Sequence, residues 1–276
     1  MLYFYQHLPQ YVNPIAFSIG NFSVRWYSVM YLLGFFVVYV LLKYDIQNTI
    51  YKIRKDLITD FLLYSFAGLL IGARLGYVLF YNLSYYIQNP LAIISPIKDG
   101  NFVGIFGMSY FGGLIGIILV NLIFLRKRGI NFWKWSDFVV PAIPAGYFFG
   151  RIGNFLNGEL YGKATNHWFG MYFPVETQNI ASLRHPTQLY EALLEGLLLF
   201  LIFWFLRNNT KIPGTLFTLY IAGYGVIRFF IEFLREQEGN LVLGLTRGQI
   251  LSLGLIVSAG IIYAIIPLSN VFREQK

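Results

Sequence analysis

Seven apolar stretches of membrane-spanning length constrain this chain more than anything else in it. They run over Tyr27–Lys43, Leu57–Tyr81, Gly104–Leu125, Asp137–Leu156, Gln188–Leu206, Gly214–Leu234 and Gln249–Leu268. Each approaches the roughly 20 mostly apolar residues that a helix needs to cross a bilayer. Hydrocarbon offers no water to backbone N–H and C=O groups, so such segments must bond internally as helices. Composition agrees: 57% of the 276 residues are hydrophobic and 12% are charged, about half the charged share of a soluble domain. A water-soluble fold would leave large apolar patches bare. The expected fold is an all-α integral membrane protein, a single polytopic domain over residues 1–276. The longest polar connection, 157–187, is expected to form an external loop or small cap. No soluble domain, long linker or low-complexity tract interrupts the pattern.

Basic residues set the expected orientation. The first, third and fifth connections and the C-terminal tail hold 12 of the 21 Lys and Arg, among them Lys43, Arg54, Arg126, Lys127, Arg128 and Arg207. The opposite side holds six: Arg25, Lys98, Lys163, Arg184, Arg235 and Arg247. The positive-inside rule then places the N-terminus outside and the C-terminus in the cytoplasm. The net charge of +8 therefore faces the inner lipid surface, and no basic stripe suggests nucleic acid. The first residues, MLYFYQHLPQYVNP, have neither the basic start nor the small-residue cleavage site of a signal peptide. There is no cysteine, which excludes disulfides, thiolate metal sites and a cysteine nucleophile of the chain's own.

Within the spans, small and ionisable residues carry the information. Glycines repeat every four residues at Gly68, Gly72 and Gly76, at Gly112 and Gly116, and at Gly146 and Gly150. Such rows let helix backbones approach closely in lipid; the alternative is room for a lipid headgroup. Charges inside a bilayer cost about 2.5–3.5 kcal/mol each on insertion scales, so each demands a partner or a function. Arg74, Tyr77 and Tyr81 share one helix face, as do Gln188, Glu191 and Glu195, and Tyr224, Arg228, Glu232 and Arg235. Ion pairing of Arg74, Arg228 and Arg235 with Glu191, Glu195 and Glu232 would satisfy these groups. For Arg228, close to a tyrosine and to headgroup depth, a phosphate is the favoured partner, because a guanidinium grips phosphate oxygens in a bidentate way.

The segment Gly150–Gly162 reads GRIGNFLNGELYG and sets Arg151, Asn154, Asn157 and Glu159 at the outer end of the fourth span. If it is helical, Arg151, Asn154 and Gly158 align on one face. Amide donors beside a guanidinium suit an anion in a low-dielectric site. The segment resembles the signature of the prolipoprotein diacylglyceryl transferase family, G-R-x-[GA]-N-F-[LIVMF]-N-x-E-x-x-G. Gly150, Arg151, Gly153, Asn154, Phe155, Leu156, Asn157, Glu159 and Gly162 meet every specified position. RWYSVMYLLGF from Arg25, GARLGYVLFYN from Gly72, GGLIG from Gly112, HPTQLYEA from His185 and YGVIRFFIEFLR from Tyr224 also look like that family.

The resemblance implies a bacterial multi-pass enzyme of the cytoplasmic (inner) membrane. Such an enzyme moves diacylglycerol from phosphatidylglycerol to the cysteine thiol of a prolipoprotein signal peptide. It needs neither metal nor organic cofactor, and its partners are membrane lipid and signal peptides. Arg151, Arg228, Tyr224 and Tyr27 are the expected catalytic residues, with Asn154, Glu159, Gly162, Arg74, His185 and Arg235 in substrate binding. The sequence departs from the family where many members read HGG: here Phe111 precedes Gly112 and Gly113. The base that takes the thiol proton therefore stays open, with neighbouring Tyr110 and His185 as candidates. A transporter using buried Arg and Glu is the competing class, although no internal repeat supports it.

Overall fold

The computed structural model describes residues 1–20, 22–47, 53–95, 97–98, 101–102, 107–174, 182–210, 212–236, 241 and 243–274. In chain order, helix α1 (Leu2–Tyr11) leads into a hairpin of β1 (Ile15–Ile19) and β2 (Phe22–Arg25), then α2 (Trp26–Asp45) and α3 (Asp56–Tyr81). Helix α4 (Leu83–Gln88) and the short pair β3 (Ile97–Lys98) and β4 (Asn101–Phe102) precede α5 (Tyr110–Lys127). The rest is helical: α6 (Phe132–Val139), α7 (Ile143–Leu156), α8 (Thr187–Glu191), α9 (Leu199–Leu206), α10 (Thr215–Ile231) and α11 (Arg247–Glu274). Among the described residues, four helical stretches are long and apolar enough to cross a membrane: Trp26–Asp45, Asp56–Tyr81, Thr187–Leu206 and Arg247–Ile266. Thr215–Ile231 is a shorter apolar helix.

Two compact units emerge, one from Met1–Lys52 with Trp133–Lys276, the other from Ile53–Phe132. In the second, α3 and α5 meet along their glycine rows. A Cβ on Gly116 would lie 2.1 Å from the Gly68 carbonyl oxygen, and one on Gly72 would lie 2.4 Å from that of Gly112. Backbones this close leave no room for any side chain, so these rows serve packing. Asn121 Nδ2 donates to Ser65 Oγ across the seam (2.9 Å). Ser109 caps the start of α5 by accepting from Gly112 N. In the first unit, Gly146 approaches Gly34 in the same way, whereas Gly150 meets only the Tyr31 ring at an ordinary 3.7 Å.

Proline and capping chemistry shape the first unit. The fourth expected span is not one helix: Pro141 lies in a 3-10 turn (Val140–Ala142) between α6 and α7, and Pro144 sits in the first turn of α7. Proline lacks the N–H that a continuous helix would use there. Asp137, buried at the end of α6, caps α10 from outside, accepting from Gly214 N (2.7 Å) and Phe217 N (2.9 Å). Gly214 adopts φ +96 there. Helix α11 opens on a capping box in which Thr246 Oγ1 accepts from Gln249 N and Gln249 Oε1 accepts from Thr246 N. Val140, Leu199, Phe203 and Leu216 form the apolar core between these elements.

The described part of the 157–187 connection folds back on the chain's start. Phe155, Met171 and Phe173 form a buried cluster with Tyr5, Leu8, Tyr161 and Leu189 packed on it. Tyr5 Oη donates to Phe169 O (3.0 Å), and Tyr172 N donates to Gln6 O (2.7 Å). Helix α1 thus holds the described part of the 157–187 cap.

Candidate active site

Helix α7 ends two residues too early for the expected alignment of Arg151, Asn154 and Gly158. The helix stops at Leu156, and Gly158 takes φ +69. Gly158 N donates to Phe155 O and Glu159 N to Asn154 O, the paired bonds of a Schellman motif with glycine at its left-handed position. This turn brings the Glu159 side chain back over the helix end, where Glu159 Oε1 accepts from Asn154 Nδ2 (2.9 Å). Asn154 Oδ1 in turn accepts from Arg151 NH1 (3.3 Å). Glu159 therefore orients an arginine through an asparagine. Gln188 Nε2 fixes the same turn by donating to Glu159 O (2.6 Å).

Glu191 is the hub of the site. Its side chain is 0% exposed and meets three arginines: Arg228 NH1 at 2.5 Å, Arg235 NH1 at 2.9 Å and Arg151 Nε at 3.0 Å. Glu232 joins through Arg228 (3.4 Å) and Arg235 (3.7 Å), and Glu195 lies 3.8 Å from Arg228 NH1. Ion pairing thus reaches Arg228 as well as Glu195 and Glu232. Glu232 is further held by Thr246 Oγ1, which donates to its Oε1 (3.1 Å). A Cβ on Gly248 would sit 2.4 Å from that carboxyl group, so glycine is what admits it to the N-terminus of α11, where helix polarity favours an anion. With every group ionised, the three arginines and three glutamates balance.

A tyrosine that the sequence reading passed over links the two ends of this network. Tyr147 Oη accepts from Arg151 Nε (2.7 Å) and donates to Glu195 Oε2. The Tyr224 ring stands edge-on to Tyr147, 5.9 Å between centroids. Tyr147 lies four residues before Arg151, on the same helix face, which was the available signal. The helix carrying Glu191 and Glu195 widens into a π-helical stretch over Ala192–Leu198, a distortion often found at functional sites.

The remaining expected residues fall around this core or away from it. Tyr27 packs across Gly153, whose Cβ position is 3.3 Å from the Tyr27 Cα, and its ring lies 4.5 Å from that of Tyr31. Gly162 passes so close to Leu234 O (2.3 Å from a Cβ position) that only glycine fits, and its backbone bridges to Arg235. His185 lies beside it, near Tyr190, Phe169 and His167. Burial, with His167 nearby, holds its imidazole below the ordinary histidine value. Arg74 belongs to the other unit and holds backbone there. It donates to Ile93 O and Ala92 O (both 2.7 Å) and to Gly107 O (3.2 Å), with its guanidinium over the Tyr86 ring. Among the described residues no group of three or more His, Asp or Glu is arranged to hold a metal ion.

Fold and site together define a mostly helical, multi-pass membrane protein built around a buried arginine–glutamate network. Comparison with known proteins gives the family: the model for prolipoprotein diacylglyceryl transferase matches residues 14–266. The chain is 47% identical over 264 residues to the phosphatidylglycerol–prolipoprotein diacylglyceryl transferase of Chlorobaculum tepidum, covering 93% of this chain and 90% of the relative. It is 40% identical to the Campylobacter hominis protein of that name (99% and 97% covered) and 42% identical to the Bordetella avium one (93% and 95%). The chain belongs to the prolipoprotein diacylglyceryl transferase family, and it is a transferase.

Proposed function

We propose that this chain transfers the diacylglyceryl group of phosphatidylglycerol to the thiol of the lipobox cysteine in a prolipoprotein signal peptide. Glycerol-1-phosphate leaves and a thioether remains. The family match over residues 14–266 is the observation that carries this reading over a transporter. The donor and acceptor named for the relatives are its substrates.

The chemistry asks for stabilised negative charge on the departing phosphate. Arg151 and Arg228, largely buried and held on Glu191, are suited to that task. Their mutual glutamate, Glu191, fixes both guanidinium groups before substrate arrives, so little reorganisation accompanies the reaction. Asn154, positioned by Glu159, adds a donor, and Tyr224 and Tyr27 position the lipid. Arg235, Gly162 and His185 shape the cap side of the site, and Arg74, engaged with backbone in the other unit, is assigned no part in it. The chain crosses the bacterial cytoplasmic membrane seven times as a single polytopic domain, N-terminus outside and C-terminus cytoplasmic.

The test uses purified protein in detergent with phosphatidylglycerol and a synthetic lipobox peptide. Mass spectrometry should find a diacylglyceryl adduct on the cysteine peptide and none on its Cys→Ser counterpart. Arg151→Ala and Arg228→Ala should each lower the rate by about 10²-fold or more, the effect of removing a donor aimed at developing charge. No adduct from folded wild-type protein, beside an active relative, would overturn the reading. A reporter fused after Lys276 and read outside the cell would overturn the orientation.

A further inference from the structure

The transferase reading leaves one chemical task unassigned: something must take the proton of the substrate thiol, because the thiolate is the nucleophile. Phe111, before Gly112 and Gly113, has no group that could take that proton. We propose that Glu195, acting through the hydroxyl of Tyr147, is the proton acceptor for the substrate thiol. The inference rests on the transferase reading.

Four observations carry it. Glu195 is fully buried beside the arginine network, where a carboxylate without a task would be costly. Its Oε2 accepts from Tyr147 Oη, while its Oε1 makes no hydrogen bond among the described residues. The Tyr147 hydroxyl stands between that carboxylate and the guanidinium of Arg151, the arginine expected to meet the phosphate. That hydroxyl already accepts from Arg151 Nε, and its second lone pair can accept an S–H. The charged and titratable groups facing Glu195 are Arg151 and Tyr147 on α7, Arg228 and Tyr224 on α10, and Glu191 on its own helix.

The step balances. The thiol proton passes to the Tyr147 oxygen as the Tyr147 proton passes to Glu195 Oε2. The sulfur lone pair forms the S–C bond to the glycerol carbon that bears the phosphate. The C–O bond breaks, and its electron pair leaves with the glycerol phosphate, to which Glu195 then returns the proton. The transfer also has an electrostatic consequence. Three arginines against three carboxylates become three against two when Glu195 is protonated. The site therefore gains a net positive charge as the phosphate gains a negative one, and the same event activates the nucleophile and favours departure of the leaving group.

The experiment measures transfer rates from pH 6 to 9.5 for full-length wild type, Tyr147→Phe and Glu195→Gln in detergent, with phosphatidylglycerol and the lipobox peptide. Both variants should lose about 10²-fold at pH 7, the usual contribution of a positioned base. The loss should shrink to about threefold at pH 9, above the ordinary thiol pKa of about 8.5, where solvent supplies thiolate. A loss equal at every pH would mean that the pair only holds the site together, and unchanged rates at pH 7 would mean that it does nothing; either overturns the proposal. Should Glu195→Gln fail to fold, Tyr147→Phe, which removes a single oxygen, decides alone. Absence of an adduct from wild type at all pH values would bring down the transferase reading and this inference together, an outcome distinct from parallel profiles in an active enzyme.

Discussion

The seam between α3 and α5 and the network joining α7, α8 and α10 are two opposite ways of holding helices together in lipid. In the seam the side chains have been removed. Gly68, Gly72, Gly112 and Gly116 bring backbone onto backbone, and dispersion over the contact supplies the attraction. In the network the side chains are long and charged, with three arginines closing on one buried carboxylate. These ions have lost most of their hydration, Glu191 all of it, and mutual contact offsets that loss. The seam therefore tolerates no added atom, while the network tolerates no subtracted charge.

That contrast can be broken most directly at Glu191. Glu191→Ala leaves Arg151, Arg228 and Arg235 without their common partner. Removing one member of a buried ionic group costs about 3–5 kcal/mol. A thermal-shift measurement in detergent should show the largest loss of stability of any single change discussed here, together with loss of transfer. A variant as stable as wild type would mean that the arginines find other partners readily, and that the network is not a structural unit.

Gly116→Ala tests the other side. The added methyl would meet Gly68 O at 2.1 Å, so α3 and α5 must separate or bend, and overpacking of this kind costs about 1–3 kcal/mol. The same change at Gly260, where nothing lies within 4 Å of the Cβ position, should leave the melting temperature unchanged. Equal effects at the two sites would contradict the seam.

How much of this was legible in the sequence follows the same division. Four-residue spacing revealed the glycine rows, because packing by absence needs only the helical period. The shared face of Tyr224, Arg228, Glu232 and Arg235 was equally plain. Partner choice was not, since it depends on how helices cross: the sequence suggested pairing for Glu195 and Glu232 and a phosphate for Arg228, yet Glu191 gathers Arg228 and two others. All seven apolar stretches contain helix, but Pro141 and Pro144 break the fourth, and the π-helical stretch over Ala192–Leu198 has no local signal. Helix α1 was missed because it is short, although Tyr5, Leu8 and Pro9 already mark its packed face. The hairpin β1–β2 was also legible in principle, in Gly20 between apolar runs. Gly158 ended α7 against expectation through its own left-handed conformation.

Asp137 stands between the two strategies, a single carboxylate that accepts from two backbone N–H groups. Asp137→Ala should expose Gly214 N and Phe217 N, buried donors at the start of α10, at a cost of about 1–2 kcal/mol. Asp137→Asn keeps an acceptor and should recover part of that stability. If both variants melted alike, the charge on Asp137 would matter more than its capping bonds.

The smallest effect is expected at His185, whose titration near neutral pH bears on stability. Burial and the neighbouring His167 hold its folded value below that of an unfolded histidine. As pH falls through about 6.5, the ordinary histidine value, the unfolded chain takes up this proton before the folded one does, which favours unfolding. The stability contributed by neutral His185 is therefore complete above the unfolded value and is lost as pH falls toward the lower folded value. His185→Gln has no proton to gain, so its melting temperature should fall less than that of wild type between pH 7.5 and pH 5. The network of Arg151, Arg228, Arg235 and Glu191 is common to both proteins and cancels in the difference. Identical acid responses would place the pH sensitivity in the buried ions instead, and would make the charged network, and not the cap above it, the acid-labile part of the fold.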